Sequence, residues 1–122
     1  MKIKIFVNEI EAIANLAETE TSRQIYKMLP TDGAANKSGD EIYFVIPLKL
    51  EPEKNATDVL EKGDIAYWPE GCCLCIFFGS TPNPAKTGLK SSPKVNVFGR
   101  LNGDLSEFNN VRNGDLIIVE KG

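Results

Sequence analysis

The chain has 122 residues, of which 42% are hydrophobic, 25% charged and 8% aromatic, the make-up of one ordinary globular domain able to bury roughly two-thirds of its unfolded surface without a disulfide or metal. It contains no histidine, which excludes Ser-His-Asp and Cys-His nucleophile systems, His-ligated zinc and a histidine proton shuttle at neutral pH. Its formal charge is -3, from 14 basic and 17 acidic residues, and the basic ones form no stripe, so a nucleic-acid partner is not expected.

The chain opens with Lys2–Val7, which alternates polar and apolar residues with Ile3, Ile5 and Val7 on one face. Ile10–Leu16 repeats the pattern, and Asn8-Glu9 turns between them, so a hairpin is predicted. This opening reads as a strand rather than a signal peptide. No apolar run approaches the roughly 20 residues of a bilayer span, so no membrane partner is expected, and the expected location is cytoplasmic.

A short helix should follow. Thr21 and Gln24 have capping-box spacing. Ile25, Met28 and Leu29 form an i, i+3, i+4 apolar face, and Pro30 stops the run. Residues 31–40, with Gly33, Asn36, Ser38 and Gly39, read as a loop. Residues 41–47 read as a strand rich in β-branched and aromatic side chains, ended by Pro47. Residues 51–62 are polar and read as a surface loop.

Residues 63–82, GDIAYWPEGCCLCIFFGSTP, carry the most information. Asp64–Trp68 is a predicted strand, Pro69-Glu70-Gly71 a turn, and 72–78 a continuous apolar strand of the kind buried on both faces. A long Pro/Gly/Ser loop over 79–92 follows. It has no GxxxxGK[ST] pattern and opens no helix, so it is not a phosphate cradle. Cys72, Cys73 and Cys75 are an odd, crowded set rather than a disulfide framework, and are expected to be reduced, small hydrophobes. A Cys-x-Cys pair without histidine lacks the ligands for a metal site, and no cofactor is implied. A strand over 95–101, a short helix over 105–111, an Asn113-Gly114 turn and a strand over 115–120 complete the chain.

Six to eight short strands with one or two short helices, and no βαβ rhythm, predict a closed or nearly closed antiparallel barrel with helices over its ends. One domain is expected to span 1–122.

Val97-Phe98-Gly99-Arg100-Leu101 followed by Gly103-Asp104-Leu105 resembles the VFGKV-x-x-GM segment of cyclophilins. Ile42-Tyr43-Phe44-Val45-Ile46-Pro47 lies where they carry Phe-His-Arg-x-Ile-Pro, and Phe77-Phe78 where they carry Gln-Phe-Phe. The chain is more similar still to a small family of uncharacterised prokaryotic proteins with a cyclophilin-like fold. The shared motif here comprises Asp40 to Phe44, then Gly63, Asp64, Tyr67, Trp68, Pro69, Gly71, Leu74, Cys75, Phe77, Phe78, Gly79, Thr81 and Pro82. The resemblance covers essentially the whole chain and implies an eight-stranded β-barrel with two helices, with no established activity to carry over.

Cyclophilins isomerise X-Pro bonds. The resemblance sets their catalytic arginine on Phe44, their glutamine on Ile76 and their pocket histidine on Val95, and only the pocket phenylalanine is matched, by Phe78. A side chain without a donor cannot stabilise the twisted amide, and losing such a donor typically costs about 10²-fold or more. Arg23, Arg100 and Arg112 are the only arginines available to replace it. Strand alternation then sets Leu74, Ile76 and Phe78 on the pocket face and Cys73, Cys75 and Phe77 in the barrel core, with Cys72 the more exposed thiol. The expected function is therefore non-catalytic binding of a small apolar or peptide ligand in an aromatic cleft, with Tyr43, Phe44, Tyr67, Trp68, Ile76 and Phe78 as candidate lining residues. A divergent prolyl isomerase and an oligomeric interaction module are the alternatives, the oligomeric state being open. Of the two motif acids, Asp64 is expected to bond local backbone and Glu41 to be solvated.

Overall fold

The computed structural model describes residues 1–79 and 94–122. Nine strands form one antiparallel sheet: β1 Lys2–Val7, β2 Ile10–Leu16, β3 Thr31–Ala34, β4 Asn36–Ser38, β5 Glu41–Val45, β6 Asp64–Trp68, β7 Cys73–Phe77, β8 Asn96–Leu101 and β9 Leu116–Lys121. Their spatial order is β3-β9-β1-β2-β8-β6-β7-β5-β4. The two outermost strands, β3 and β4, are separated in the chain only by Ala35, so the sheet curls into a nearly closed barrel. The first hairpin turns at Asn8 and pairs Val7 with Ile10.

The ninth strand arises where a loop was expected. Residues 31–40 lack the alternating apolar signal, yet β3 runs along β9 from Thr31↔Val119 to Ala34↔Leu116, and β4 runs along β5. Backbone pairing, not side-chain burial, holds this stretch. Ala35 donates its N–H to Asp115 O at 2.8 Å and accepts from Gly114 N at 2.8 Å. Gly33 permits the close approach, because a Cβ there would lie 2.7 Å from Phe44 Cδ2.

The helix α1 spans Glu20–Met28. Its capping box begins two residues earlier than the sequence spacing suggests. Thr19 Oγ1 accepts from Ser22 N at 3.0 Å, and Ser22 Oγ accepts from Thr19 N at 3.0 Å. Ile25 and Leu29 are buried, and Met28 packs partly against them over one end of the barrel. The predicted second helix is a 3-10 turn, Ser106–Asn110, whose Phe108 is buried and stacks on Phe78 with ring centroids 6.0 Å apart.

Every long strand contributes to the interior: Ile3 and Ile5, Ala14, Ile42 and Phe44, Ile65 and Tyr67, Leu74 and Ile76, Phe98, and Ile117 and Val119 are all in one buried cluster. The expected strand faces are reversed on β7. Leu74, Ile76 and Phe78 fill the barrel, while Cys73, Cys75 and Phe77 belong to a second cluster on its outer side. The register explains this, since Ile76 lies between Ile42 and Ile65 and Leu74 between Phe44 and Tyr67, all of them interior residues.

The connection from β5 to β6 is polar, as expected of a surface loop, but it is clamped to the barrel. Tyr67 is fully buried, and its hydroxyl donates to Leu48 O at 2.6 Å and accepts from Leu50 N at 3.0 Å. Asn96, also buried, donates to Glu51 O at 3.0 Å and to Thr21 Oγ1 at 3.2 Å, and accepts from Glu53 N at 2.8 Å. Thr21 in turn donates to Glu53 at 2.5 Å, which is why it turns inward and leaves the helix cap to Thr19. Further along, Thr57 and Val95 exchange two backbone bonds.

Two stability predictions follow from these contacts. Asn96→Ala removes the side-chain partner of Glu53 N and Glu51 O and is expected to cost roughly 1–3 kcal/mol, read as a shift of the urea midpoint. Gly99→Ala places a Cβ 2.7 Å from Asn15 O and 3.0 Å from both Ile65 and Leu16. Because the first obstacle is backbone of the neighbouring strand, a loss of roughly 1–3 kcal/mol is expected in the same measurement.

Candidate functional site

The outer side of the β5-β7-β6-β8 wall carries a second apolar cluster, separate from the barrel interior. Antiparallel register puts directly opposed residues on one face. Cys75 therefore has Tyr43 of β5 on one side and Ala66 of β6 on the other, and Cys73 has Val45 and Trp68. Phe77 faces Glu41. Val95 is buried in the same cluster, and Tyr43, Leu60, Trp68 and Val97 pack against it half-buried. Val45 continues the patch outward at 63% exposure.

Trp68 leans back over the following turn, so close that a Cβ on Gly71 would lie 2.4 Å from its ring. Its Nε1 is buried and meets no acceptor among the described residues. The turn itself places Cys72 at φ 53, a left-handed conformation. The Cys72 thiol is only half-buried, as expected, with Sγ 3.8 Å from Pro69 O.

Glu41 is half-buried rather than solvated. Burial raises its carboxyl above the ordinary value of 4.5, and a hydrogen bond from the Cys75 thiol partly opposes that rise. Burial, together with the negative charge of Glu41, pushes the Cys75 thiol well above its ordinary value. Cys73 is raised in the same direction, first by burial. These two thiols are thus poor nucleophiles at neutral pH. Asp64 behaves as expected: it is buried, and its carboxylate accepts from Glu61 N at 2.8 Å.

Of the six residues expected to line an aromatic cleft, the structure brings only Tyr43 and Trp68 to this outer surface. Phe44, Tyr67, Ile76 and Phe78 lie inside the barrel, at most 2% exposed, and offer no wall to a ligand from that interior. The expectation failed because it set Phe78 outward, and alternation then carried its neighbours with it. The same reversal separates Val95, on the outside, from Phe44 and Ile76, on the inside. Thr81 and Pro82 of the motif, and most of the expected loop over 79–92, lie outside the described residues. Sequence reading missed the Glu41–Cys75 contact and the role of Leu60. The signal for the contact was available: in a strand pair, a residue two positions from the directly opposed one is its diagonal neighbour.

Two of the three arginines, Arg23 and Arg100, have their guanidinium groups held by carboxylates. Arg100 is on β8 beside Asp64, and its guanidinium is engaged by Glu61 at 2.9 Å, Asp64 at 3.3 Å and Lys62 O at 2.8 Å. Arg23 pairs with Glu20 at 3.4 Å on the exposed side of α1. Arg112 lies in the turn before β9, where its backbone N–H donates to the Asp115 carboxylate at 2.8 Å. Among the described residues no group of three or more Cys, Asp or Glu side chains could hold a metal ion. No helix among them is long and apolar enough to cross a membrane.

The raised carboxyl of Glu41 has a pH signature. Above 4.5 the unfolded chain releases this proton before the folded chain does, so the folded state binds more protons in that window. Stability contributed by Glu41 is then present below 4.5 and is lost as pH rises through the folded value. Glu41→Gln is expected to remove this decline, so that the difference in urea midpoint between variant and parent grows in the variant's favour from pH 4 towards neutrality. A constant difference across that range would show that Glu41 ionises as it does in the unfolded chain.

The model of the cyclophilin-like family matches residues 1–120. The solution structure of a hypothetical protein from Archaeoglobus fulgidus is 35% identical, with a TM-score of 0.78, over 100% of this chain and 95% of that one. No curated protein matches. Family model, identity and barrel topology agree, and the chain belongs to the cyclophilin-like family.

Proposed function

We propose that this cyclophilin-like domain is a non-catalytic binding module that takes a small apolar or peptide ligand on the outer side of the β5-β7-β6-β8 wall, against Tyr43 and Trp68. The observation that carries this reading is the second apolar cluster, built outside a barrel whose interior is already filled, with two amphipathic aromatic side chains left half-exposed on it. Tyrosine and tryptophan supply rigid apolar area with a polar tip, which suits recognition of a ligand having a few carbonyl groups. The buried Trp68 Nε1, a donor lacking an acceptor among the described residues, supports a ligand or partner oxygen at that point. The free thiols of Cys72, Cys73 and Cys75 support a reducing, cytoplasmic setting.

Binding rather than turnover is favoured by the engaged Arg100 guanidinium and by the elevated thiols. Prolyl isomerisation needs a free donor aimed at the twisted amide, and Arg100, which lies on the same side of β8, already has three acceptors.

Trp68 is the sole tryptophan, so its fluorescence reports on the site directly. A titration with proline-containing peptides and small apolar metabolites is expected to give a saturable change for at least one of them, and Tyr43→Ala is expected to weaken that ligand about tenfold. A flat response across the library, or a response that Tyr43→Ala leaves intact, would sink the reading. In a protease-coupled isomerase assay at micromolar protein the rate is expected to equal the uncatalysed one.

A further inference from the structure

A second surface lies on the barrel where the wall is incomplete. β8 pairs with β2 only from Ala14↔Leu101 to Leu16↔Gly99. Beyond that ladder, Asn102 N donates to Ile13 O at 3.0 Å, and the chain then diverges towards the 3-10 turn. Towards Ile10, β2 has no strand on that side among the described residues.

The backbone groups left there can be assigned. In an antiparallel ladder, alternate residues turn their N–H and C=O to opposite neighbours. Leu16 N donates to Met1 O, on the β1 side, whereas Ile13 O accepts from Asn102. Ala14, Ala12 and Ile10 therefore bond towards β1, and Glu11 turns its N–H and C=O to the open side. An unpaired strand edge of this kind is a template for an added strand.

The edge is set in a cleft of about 540 Å³ whose apolar lining residues are Ile10, Ala12, Ile13 and Phe108, of which Ile13 is exposed and Ile10 half-buried. Its rim holds four carboxylates, Glu9, Glu11, Asp104 and Glu107, against one ammonium, Lys2. Asp104 is fixed by accepting from Ser106 N at 2.9 Å. Glu11 is 3.9 Å from Lys4, and both are exposed, so that pair is weak and leaves Glu11 available. Ile13, on the same face of β2 as Glu11, is 40% exposed.

We propose that this cleft takes an extended, basic peptide segment of a partner protein, which adds as a strand to β2 at Glu11 and lays lysine or arginine side chains against the rim carboxylates. The backbone of Glu11 supplies a donor and an acceptor, which fix the direction and register of the guest strand. Period-two alternation then sets every second guest residue on the Glu11 face and the others over Ile10 and Ala12. The matching segment therefore alternates basic and apolar residues. A second copy of this chain fits poorly, because the chain is itself acidic and would bring like charge to the rim.

Fluorescence anisotropy with a labelled eight-residue peptide alternating lysine and valine tests this on the intact chain. Saturable binding that weakens as salt is raised is expected, with no binding of the glutamate–valine counterpart. N-methylation of one of the two alternate sets of peptide amides should weaken binding about tenfold or more, through lost backbone bonds. Glu11→Pro deletes the open N–H without removing a bond to β1 and is expected to abolish binding. Should proline unfold the barrel, the double variant Glu9→Gln, Glu107→Gln leaves the backbone untouched and is expected to weaken binding and flatten its salt dependence. The proposal is overturned if the peptide does not saturate at millimolar concentration, if both N-methylated peptides bind as well as the parent, if spermine binds as tightly as the peptide, or if the chain dimerises through this edge.

Discussion

The double burial of β7 is the constraint on which this molecule is organised. A strand with apolar side chains on both faces needs a partner layer on each. Inward, Leu74 and Ile76 meet Ile42, Phe44, Ile65 and Tyr67, and this interdigitation sets the barrel interior. Outward, Cys73, Cys75 and Phe77 need cover that the barrel itself cannot give, and Leu60, Tyr43 and Trp68 provide part of it. The outer cluster exists because β7 is too apolar to face water, and what surrounds it is therefore the place where the protein's surface chemistry differs from that of a plain solvated barrel.

The inner and outer layers are tied by a few buried polar side chains. Tyr67 belongs to the interior by its ring and to the β5–β6 connection by its hydroxyl. Asn96 joins that connection to α1 through Thr21 and to β8 through its own backbone. Fully satisfied buried groups of this kind specify one arrangement more strictly than apolar contacts do. A polar segment that would otherwise have no reason to stay in place thereby becomes part of the folded unit and brings Leu60 to the outer cluster.

How much of this was legible in the sequence differs from element to element. The first hairpin was legible to the residue because period-two alternation between turn residues is a strong local signal, and β6 because Gly63 and Pro69 bracket a short apolar run. The short strands β3 and β4 were not, since they are held by backbone pairing to strands distant in sequence and their side chains carry no alternation. The barrel class was legible from strand number and spacing, and the family from its motif. The candidate site was legible only in part. Tyr43 and Trp68 lie on the outer surface, but which face of β7 points inward is decided by neighbours in the sheet, not by β7, whose apolar residues run without a break. The open side of β2 was beyond reach, because Ile10–Leu16 reads as one uniform strand and nothing local reveals where its neighbour departs.

The pairing of β1 with β9, from Ile3↔Lys121 to Val7↔Ile117, bears on how this chain acquires its structure. Contacts between segments so far apart must pay a large loop-closure entropy before any burial offsets it, which places the domain among slowly folding, non-local topologies. During synthesis β1 is made before every other strand of the barrel and its partner β9 after them. Ile3, Ile5 and Val7, fully sheltered in the finished barrel, are covered on one side only by their hairpin mate until the final strand emerges. For this protein, then, the interval of greatest exposure to misassembly is translation itself, and it ends only when the last strand has been made.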